Sequence, residues 1–480
     1  MKGMVLMNSI FTYFEEISKV PRCSGNEKGI SDFLVNFAKK HNLEVIQDDV
    51  YNVIIKKPAT PGFENAPGVI LQGHMDMVCV KTKDKVHDFI KDPIRLKYIG
   101  DMVYADGTSL GADNGIAVAM AMAVLTDENA KHPALEVIIT VDEESGMTGA
   151  KNINSDYISG KIMINLDSEE EGKLLVSCAG GLRTAINIDG DWKNAPADFD
   201  SYTVSIGGLL GGHSGIDIDK EKGNANKILG RVLLDIYSGQ DFGLAHLKGG
   251  SKDNVIPSEA EATILISKDK LHIIEEKIEE WNQILKNEYK VSDPNVTVTL
   301  GKSTIAHEKI SGATEKVLNL LVAMPNGVQA MSTSIEELVE SSSNLGVMTT
   351  TEKGFGLTFS IRSSVSTRKE RIKNQIKAIA KLSDVEFVAN SEYPSWEYNP
   401  ESEIREICIK VYKELYGKEP EIVAFHAGVE CGLFGEKFPG LDMISMGADA
   451  FDAHTTNEHV SVSSTNRTYE YLLAILEELK

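Results

Sequence analysis

Short apolar runs alternate with longer helical stretches in the first third of the chain. GVILQG (68–73), LEVIITV (135–141) and KIMINL (161–166) have the length and composition of buried strands. Between the first two lies GIAVAMAMAVL (115–125), which is apolar on nearly every side and therefore predicts a buried helix. Strands and helices in this order predict a largely parallel sheet flanked by helices.

The middle of the chain has a different pattern. YTVSIG (202–207) and AEATILIS (260–267) alternate apolar and polar residues with a period of two, and amphipathic helices lie between them. A later set that includes GFGLTFSIR (354–362) repeats the order of strand, helix, strands and helix. The repeat indicates an internal duplication, although coincidence stays open because few residues are identical.

After Tyr393-Pro394 the chain returns to the first pattern, which ends with an apolar strand, LDMISMG (441–447), and a final helix. A chain of 480 residues is too long for one ordinary core. We therefore predict the α/β fold class, with a mostly parallel sheet and an inserted α+β domain. The α/β domain is placed at residues 1–180 and 391–480, and the insertion at 181–390.

Groups able to bind a metal ion stand at the ends of the apolar strands. His74 and Asp76 follow the first strand, Glu143 and Glu144 the second, Asp167 the third and His454 the last, while Asp113 directly precedes the buried helix. Sites in open parallel sheets lie beyond the carboxyl ends of the strands, so we expect these side chains to converge. Taken singly, each has an ordinary explanation as a strand-end turn, a solvated loop or a helix cap. Four strands that all end in this way are hard to obtain by chance.

Converging carboxylates repel one another and raise one another's pKa, and divalent cations remove that conflict. Two histidines with three or more carboxylates suit Zn²⁺, with Mn²⁺ or Co²⁺ as alternatives. An aspartate that uses both oxygens can bridge two ions, an arrangement that activates a shared water for hydrolysis. The pattern thus predicts two divalent metal ions as cofactors, with zinc preferred.

Charge and cysteine content narrow the partners and the compartment. The formal net charge is −22, which disfavours nucleic acid and anionic membranes, and no apolar run is long enough to span a bilayer. The five cysteines are scattered and odd in number, which argues against a disulfide framework and favours a reducing cytoplasm.

Residues 8–40 predict a helix broken at Pro21-Arg22, in place of a signal peptide.

The order of these motifs resembles the zinc di- and aminopeptidase family, which includes aminoacyl-histidine dipeptidases, carnosinases and related carboxypeptidases. The resemblance rests on GHMDMV, DGTSLGADNG, TVDEESGMTGA, INLDSEEEG, GLLGGHSGIDI and FHAGVECGLF, and it covers nearly the whole chain. The local text is most similar to the aminoacyl-histidine dipeptidases. The resemblance implies hydrolysis of dipeptides, including Xaa-His dipeptides such as carnosine, by a water activated between two metal ions.

The resemblance also implies how the metal site is divided. The ligands would be His74 and Asp167 on one ion, Glu144 and His454 on the other, and Asp113 as the bridge between them. The peptide bond between Asp113 and Asn114 is typically cis in such proteins. Asp76 would orient His74, and Glu143 would be the general base.

Substrate-binding residues are implied in the inserted domain, which closes over the metal face as a lid in this family, and in the loop before the last strand. His213 would stabilise the oxyanion, and Arg362 would bind the free carboxylate of the substrate, a task that suits a guanidinium. Asn254, His426 and Gly428 would contact the substrate. Without the resemblance, His213 would be interpreted as a surface-loop residue and Arg362 as a strand-edge residue.

Other functions stay open. An aminoacylase or a tripeptidase would use the same scaffold and differ only in contacts from the lid. An inactive, metal-stabilised binding protein is a third possibility, which the presence of Glu143 opposes. The expected partner is a small peptide substrate, without nucleic acid or membrane. A homodimer also stays open, because some members of the family with a shorter lid dimerise through it.

Overall fold

The computed structural model describes residues 2–305 and 307–480. The chain divides into two compact units, the first comprising Met1–Ser177, Tyr398–Ala424 and Val429–Lys480, and the second Cys178–Glu397 and Phe425–Gly428. The short segment at Phe425–Gly428 belongs to the second unit, although the predicted boundaries placed it in 391–480. None of the described helices is long and apolar enough to cross a membrane.

The elements are numbered in chain order. The helices are α1 (Lys2–Ile17), α2 (Lys28–Lys40), α3 (Ala112–Thr126), α4 (Thr148–Asn152), α5 (Ala225–Gly239), α6 (Leu271–Glu288), α7 (Thr314–Ala323), α8 (Ser366–Leu382), α9 (Glu403–Tyr416), α10 (Glu430–Lys437) and α11 (Val462–Glu478). The strands are β1 (Glu44–Gln47), β2 (Val53–Lys57), β3 (Val69–His74), β4 (Leu96–Ile99), β5 (Met102–Ala105), β6 (Leu135–Thr140), β7 (Ile162–Asn165), β8 (Lys173–Cys178), β9 (Gly180–Asp189), β10 (Trp192–Asn194), β11 (Phe199–Gly207), β12 (Gly212–His213), β13 (Gly243–Gly249), β14 (Val255–Ile256), β15 (Ala260–Ser267), β16 (Thr297–Lys302), β17 (Lys309–Ser311), β18 (Gly327–Met331), β19 (Val339–Thr350), β20 (Gly354–Ser363), β21 (Glu386–Tyr393), β22 (Glu421–Phe425), β23 (Asp442–Ser445), β24 (Ala450–Phe451) and β25 (His459–Ser461).

The first unit is built on an eight-stranded sheet in the order β1-β2-β6-β3-β7-β23-β8-β22. The four central strands, β6, β3, β7 and β23, run parallel, and they are the apolar runs identified in the sequence. β3, β6 and β7 are buried along their whole length, as strands covered on both faces are. Antiparallel pairs join at the sides, so the sheet is parallel at its centre and mixed as a whole.

Helix α3 is the buried helix that its composition predicts. It packs against β3, α1 and α11, and all of its residues except Asp113 and Thr126 are buried. Its beginning is irregular, because Gly111 has a left-handed conformation with φ 70° and neither Asp113 nor Asn114 has helical dihedral angles. Asp113 therefore lies on a loop-like segment at the edge of the sheet, ahead of the regular helix.

The second unit contains a nine-stranded antiparallel sheet in the order β16-β11-β15-β13-β19-β20-β9-β21, with β18 paired to β19. Counted outward from the centre, one half is β13-β15-β11-β16 and the other β19-β20-β9-β21. Along the chain the halves run β11-α5-β13-β15-α6-β16 and β9-α7-β19-β20-α8-β21, which is the same plan twice. This agrees with the predicted duplication. The first half is inserted into the second, because β9 precedes it in the chain.

The segment between α1 and α2 confirms one prediction and corrects another. The break predicted at Pro21-Arg22 is present and extends from Ser18 to Glu27, and the buried Arg22 side chain within it donates to main-chain oxygens of the loop after β3. Cys23 forms a disulfide with Cys79, 56 residues away, so the expectation of no disulfide was wrong. A parallel bridge between Cys23 and Met77 brings these distant segments together. Cys178, Cys408 and Cys431 are buried thiols.

Candidate active site

The predicted metal ligands come together at the carboxyl end of the parallel strands in the first unit. His74 is the last residue of β3, and Glu143 and Glu144 follow β6. Asp167 lies two residues after β7, and His454 lies in the loop that follows β23 and β24. His74, the Glu143-Glu144 pair and Asp167 reach this edge because the strand before each of them is buried along its whole length. The convergence predicted from the sequence is therefore present in the structure.

His74 is held in one orientation. It is 1% exposed, and its Nδ1 lies 3.2 Å from the main-chain oxygen of Asp76 and 3.3 Å from Asp76 Oδ1. Both are acceptors, so Nδ1 donates its proton on this side, and Nε2 is directed the other way. Nε2 lies 3.1 Å from Asp113 Oδ1 and 3.4 Å from Asp167 Oδ1.

His454 repeats this arrangement on the other side of Asp113. Its Nε2 lies 3.1 Å from Asp113 Oδ2 and 2.9 Å from the Glu144 carboxylate. The two oxygens of Asp113 thus face different histidines, and each histidine has one further carboxylate of its own. The structure thus groups His74 with Asp167 and His454 with Glu144 on either side of Asp113.

The electrostatics of the cluster fit divalent cations. Nitrogen lone pairs and carboxylate oxygens face one another at hydrogen-bond distance, and only a proton or a metal ion relieves that arrangement. Burial raises the pKa of Asp167 to about 6, and its buried Oδ1 has no hydrogen-bond partner. Ligand atoms of His74, Asp113 and Glu144 all lie within 4.8 Å of one another, a group that could hold a metal ion.

The Asn114 side chain fixes the main chain around Asp113. The Asp113-Asn114 peptide bond is cis, as the resemblance implied. The Asn114 side chain accepts from the main-chain N–H of His74 at 3.2 Å and donates to the Leu166 carbonyl at 2.9 Å. Asn114 therefore connects Asp113 to the ends of both β3 and β7. Gly73 has no side chain because a Cβ there would collide with Asn114 Oδ1.

Asp76 organises the turn that carries Glu143. Its carboxylate accepts from the main-chain N–H groups of Glu143 (3.1 Å) and Glu144 (3.3 Å) and from the hydroxyl of Ser24 (2.8 Å). One buried carboxylate thus orients His74 and the Glu143-Glu144 pair together. Burial raises the pKa of Glu143 to about 9, with the Asp167, Glu430 and Glu144 carboxylates adding to the shift.

The predicted substrate residues lie in the second unit. His213 Nδ1 accepts from the main-chain N–H groups of Gly215 (3.2 Å) and Ile216 (3.3 Å). The neutral ring therefore carries its proton on Nε2, and burial together with the Arg362 charge lowers the pKa of His213. Asn254 belongs to the same loop pair, because its main-chain oxygen accepts from Ser214.

Arg362, on β20, is 7% exposed, and no ion pair among the described residues involves it. Its guanidinium donates to the Tyr393 hydroxyl at 3.0 Å. The Tyr393 ring is seated against two glycines, since a Cβ at Gly428 would lie 2.5 Å from the ring and one at Gly181 would also collide with it. The absence of a side chain at Gly428 therefore leaves room for the Tyr393 ring, whose hydroxyl accepts from Arg362.

His426 completes this group. Its Nε2 lies 2.7 Å from the Ser342 hydroxyl, and its buried Nδ1 has no hydrogen-bond partner. Burial, with the Arg362 charge, lowers the pKa of His426 to about 3, so the ring is neutral. The second unit thus holds a buried guanidinium beside two neutral imidazoles, which is an environment suited to an anionic ligand.

Comparison with known proteins assigns the family. The model of Peptidase family M20/M25/M40 matches residues 70–478. The chain belongs to this family. The cytosol non-specific dipeptidase of Escherichia coli (strain K12) is 38% identical over 473 residues, which cover 98% of this chain and 97% of that protein.

Solved structures agree with the assignment to the M20/M25/M40 peptidases. The aminoacylhistidine dipeptidase from Vibrio alginolyticus matches with a TM-score of 0.94 and 36% identity, covering 98% of this chain and 96% of that chain. The aminopeptidase PepT from Bacillus cereus ATCC 10987 has the same fold, with a TM-score of 0.57, 16% identity and 98% coverage of both chains. The predicted α/β fold and the predicted peptidase class are therefore confirmed.

Other residues of this M20/M25/M40 peptidase escaped the sequence analysis. Glu430, the first residue of α10, is buried; its Oε2 accepts from Gln72 (2.6 Å) and Thr140 (2.7 Å), and burial raises its pKa to about 8. Arg22 and Glu458 are also buried beside the ligand loops. A single charged residue in a loop belongs to no hydrophobic repeat, so the sequence pattern does not single it out. The only sequence feature that pointed to any of these residues was that Glu458 lies four residues after His454. His459, five residues after His454, stacks on Tyr104.

Proposed function

We propose that this chain is a dipeptidase that uses two divalent cations, with Zn²⁺ preferred and Mn²⁺ or Co²⁺ as alternatives. One observation carries the proposal: the two oxygens of Asp113 face two histidines, each with a carboxylate of its own. His74 and Asp167 would hold one ion, and His454 and Glu144 the other. The names of the Escherichia coli and Vibrio alginolyticus relatives support the choice of dipeptides as substrate.

Each catalytic group has a role that its own surroundings support. Cations bound at the site would neutralise the carboxylates and polarise the scissile carbonyl and the attacking water. The Glu143 carboxylate takes a proton from that water and returns it to the leaving amine. The Nε2–H of His213 donates to the carbonyl oxygen as negative charge develops on it.

Both charged ends of the dipeptide would be recognised. The Arg362 guanidinium, which has no carboxylate partner among the described residues, binds the free carboxylate of the substrate. Asn254 and His426 would contribute further polar contacts. The acidic side chains of the first unit would attract the free amino end.

A substrate panel tests this function. The purified chain, depleted of metal and reconstituted with Zn²⁺, should cleave free dipeptides, including Xaa-His substrates such as carnosine. It should cleave N-acylated or C-amidated dipeptides poorly, because one charged end is missing. Absence of dipeptide cleavage would end the proposal. Preference for acyl-amino acids would identify an aminoacylase instead, and preference for tripeptides a tripeptidase. The Asp113→Asn variant should lose both bound metal and turnover.

We also propose a cytoplasmic location, which the word "cytosol" in the name of the Escherichia coli relative supports. Disulfides are rare in that compartment, so the Cys23–Cys79 pair should be reduced there. Cell fractionation, with alkylation of thiols before lysis, checks both points. Recovery of the chain in an extracytoplasmic fraction with an intact disulfide would contradict the proposal.

A further inference from the structure

A buried carboxylate that has no assigned role lies behind the metal-site loops. Glu458 is 3% exposed, and its Oε2 accepts from the main-chain N–H groups of Leu110 (2.7 Å) and Gly111 (2.9 Å). Its Oε1 accepts from those of Ala112 (2.7 Å) and Asp113 (3.3 Å). Four consecutive N–H groups thus converge on one carboxylate, and the last belongs to the residue that faces both histidines.

Glu458 connects two segments of the proposed metal site, because it follows His454 closely in the chain. Glu458 lies four residues after His454 in the same loop, and its own N–H donates to the Thr455 carbonyl. Its side chain therefore ties the loop that carries His454 to the segment that carries Asp113. Asp113 and Asn114 lack helical dihedral angles, so these contacts fix a loop and are more than an ordinary cap on a regular first turn.

Arg22 holds the same segment from the other half-site. Its guanidinium donates to the main-chain oxygens of Met75 (3.0 Å) and Asp76 (3.2 Å) and to that of Gly111. The guanidinium fills a gap that exists because residues 111 and 115 are glycines; a Cβ at either position would approach Arg22 to 2.5 or 2.6 Å. Glu458 is the leading attractive charge on Arg22. The two buried side chains thus connect the His74, Asp113 and His454 segments.

We propose that Glu458 is a positioning residue for hydrolysis: with Arg22, it holds the Asp113 main chain so that the His74 and His454 half-sites keep the spacing that a shared carboxylate requires. This inference rests on the proposed two-cation site. A glutamine at position 458 would keep the shape of the side chain. Its NH₂ group would nevertheless replace one carboxylate oxygen, and it would face the two main-chain N–H groups that now donate to that oxygen.

The matched control is Glu136, at the beginning of β6. It is 5% exposed, and its carboxylate accepts from the main-chain N–H groups of Ser159 (3.0 Å) and Gly160 (2.9 Å) and from the Ser159 hydroxyl. Glu136 is thus also a buried carboxylate on main-chain donors in the same unit, with an additional ion pair to Lys56 at 3.4 Å. It lies at the opposite end of the strand from the metal ligands. Glu136→Gln should weaken folding without changing the metal site.

The experiment compares wild type, Glu458→Gln and Glu136→Gln as full chains. Each is depleted of metal and titrated with Zn²⁺ against a competing chelator, and each is then loaded with Co²⁺ for its visible absorption spectrum. Loss of a residue that orients metal ligands typically costs about 10- to 100-fold in metal affinity. Glu458→Gln should show a loss of that size and an altered Co²⁺ spectrum. Glu136→Gln should match wild type in both, even if it unfolds at a lower temperature.

Other outcomes would contradict either the positioning role of Glu458 or the proposed two-cation site. Wild-type Zn²⁺ affinity and a wild-type Co²⁺ spectrum in Glu458→Gln would overturn the positioning role and leave only a structural cap. A wild-type chain that binds fewer than two Zn²⁺ ions would instead contradict the proposed function. If Glu458→Gln does not fold, Glu458→Asp keeps both oxygens on a shorter side chain. It should bind Zn²⁺ with intermediate affinity, and unchanged affinity there would also overturn the role.

Discussion

Asp113 illustrates at the scale of one residue why a carboxylate suits a shared site. Its Oδ1 and Oδ2 each lie 3.1 Å from the Nε2 of a different histidine, so one side chain contributes to both half-sites. An asparagine of the same shape would offer one acceptor and one donor, and the donor would face a metal ion. The residue type, and not only the position, would therefore be required in the proposed two-cation site.

Replacement of Glu143 should reduce the rate of hydrolysis without removing the metal ions. It follows β6 next to Glu144, but it makes no contact with either histidine at ion-pair distance, so its proposed role is proton transfer. Glu143→Gln should retain two Zn²⁺ ions and lose about 10²- to 10⁴-fold in kcat, the usual contribution of general acid–base catalysis. Metal analysis and dipeptide turnover on the same samples check this.

The control for Glu143 is Glu128→Gln. Glu128 is exposed just beyond the C-terminal end of α3, away from the ligand loops, and its replacement should leave kcat and metal content unchanged. Near-normal turnover in Glu143→Gln would show that another group moves the proton.

Arg362 should determine how the substrate carboxylate is read. Lysine keeps the charge but not the two-pronged geometry, and a hydrogen bond to a charged group is worth roughly 1.5–3 kcal/mol. Arg362→Lys should therefore raise KM for free dipeptides by about 10- to 100-fold. Turnover of the matching dipeptide amides, which lack that carboxylate, should change little.

The matched control is Arg183→Lys on the neighbouring strand β9. Arg183 makes an exposed two-pronged ion pair with Asp253, so its replacement should leave KM for both substrate series unchanged. A uniform loss on dipeptides and their amides in Arg362→Lys would contradict carboxylate recognition.

At the scale of elements, the break between α1 and α2 is part of the site. Arg22 reaches the carbonyls after β3, Ser24 donates to Asp76, and the Cys23–Cys79 disulfide joins the two segments covalently. Ten residues leave the helical conformation because their side chains and main chain are used by the adjacent loop. A proline near the break marks where the helix ends, but not how far the irregular segment extends.

The disulfide gives an element-scale prediction. In protein oxidised after purification, digestion should yield one fragment that joins the Cys23 and Cys79 peptides, and only denaturation should make Cys178, Cys408 and Cys431 available to iodoacetamide. In the chain-entropy account, closing a 56-residue separation stabilises the fold by about 4 kcal/mol, so reduction should lower the free energy of unfolding by up to that amount. Alkylation of Cys23 or Cys79 in the native, unreduced protein would contradict the pairing.

At the scale of the whole molecule, the sequence predicted the structure correctly where a periodic hydrophobic pattern was compatible with only one arrangement of strands and helices. The apolar strands before His74, Glu144 and Asp167 had to be central and parallel, so the ligands at their ends had to meet. Arg22 and Glu458 could not be found in this way, because a lone charge has no period and its burial depends on loops from distant parts of the chain. The disulfide was missed for the same reason: sequence separation does not reveal which loops become neighbours.

The two-unit organisation would make metal binding at the proposed site a local event. All five proposed ligands belong to the first unit, whereas His213, Arg362 and His426 belong to the second. Bound cations stabilise only the structure that holds them, by about 2.7 kcal/mol when the free ion is at 100 times its dissociation constant. Zn²⁺ should therefore slow amide hydrogen exchange in β3, β7 and the segment before α3, and leave the nine-stranded sheet unchanged. Peptide-level exchange on the full chain, with Asp113→Asn as the variant without the effect, measures this. Equal protection of both units would mean that Zn²⁺ acts elsewhere as well, against a single site built from the strand ends of the first unit.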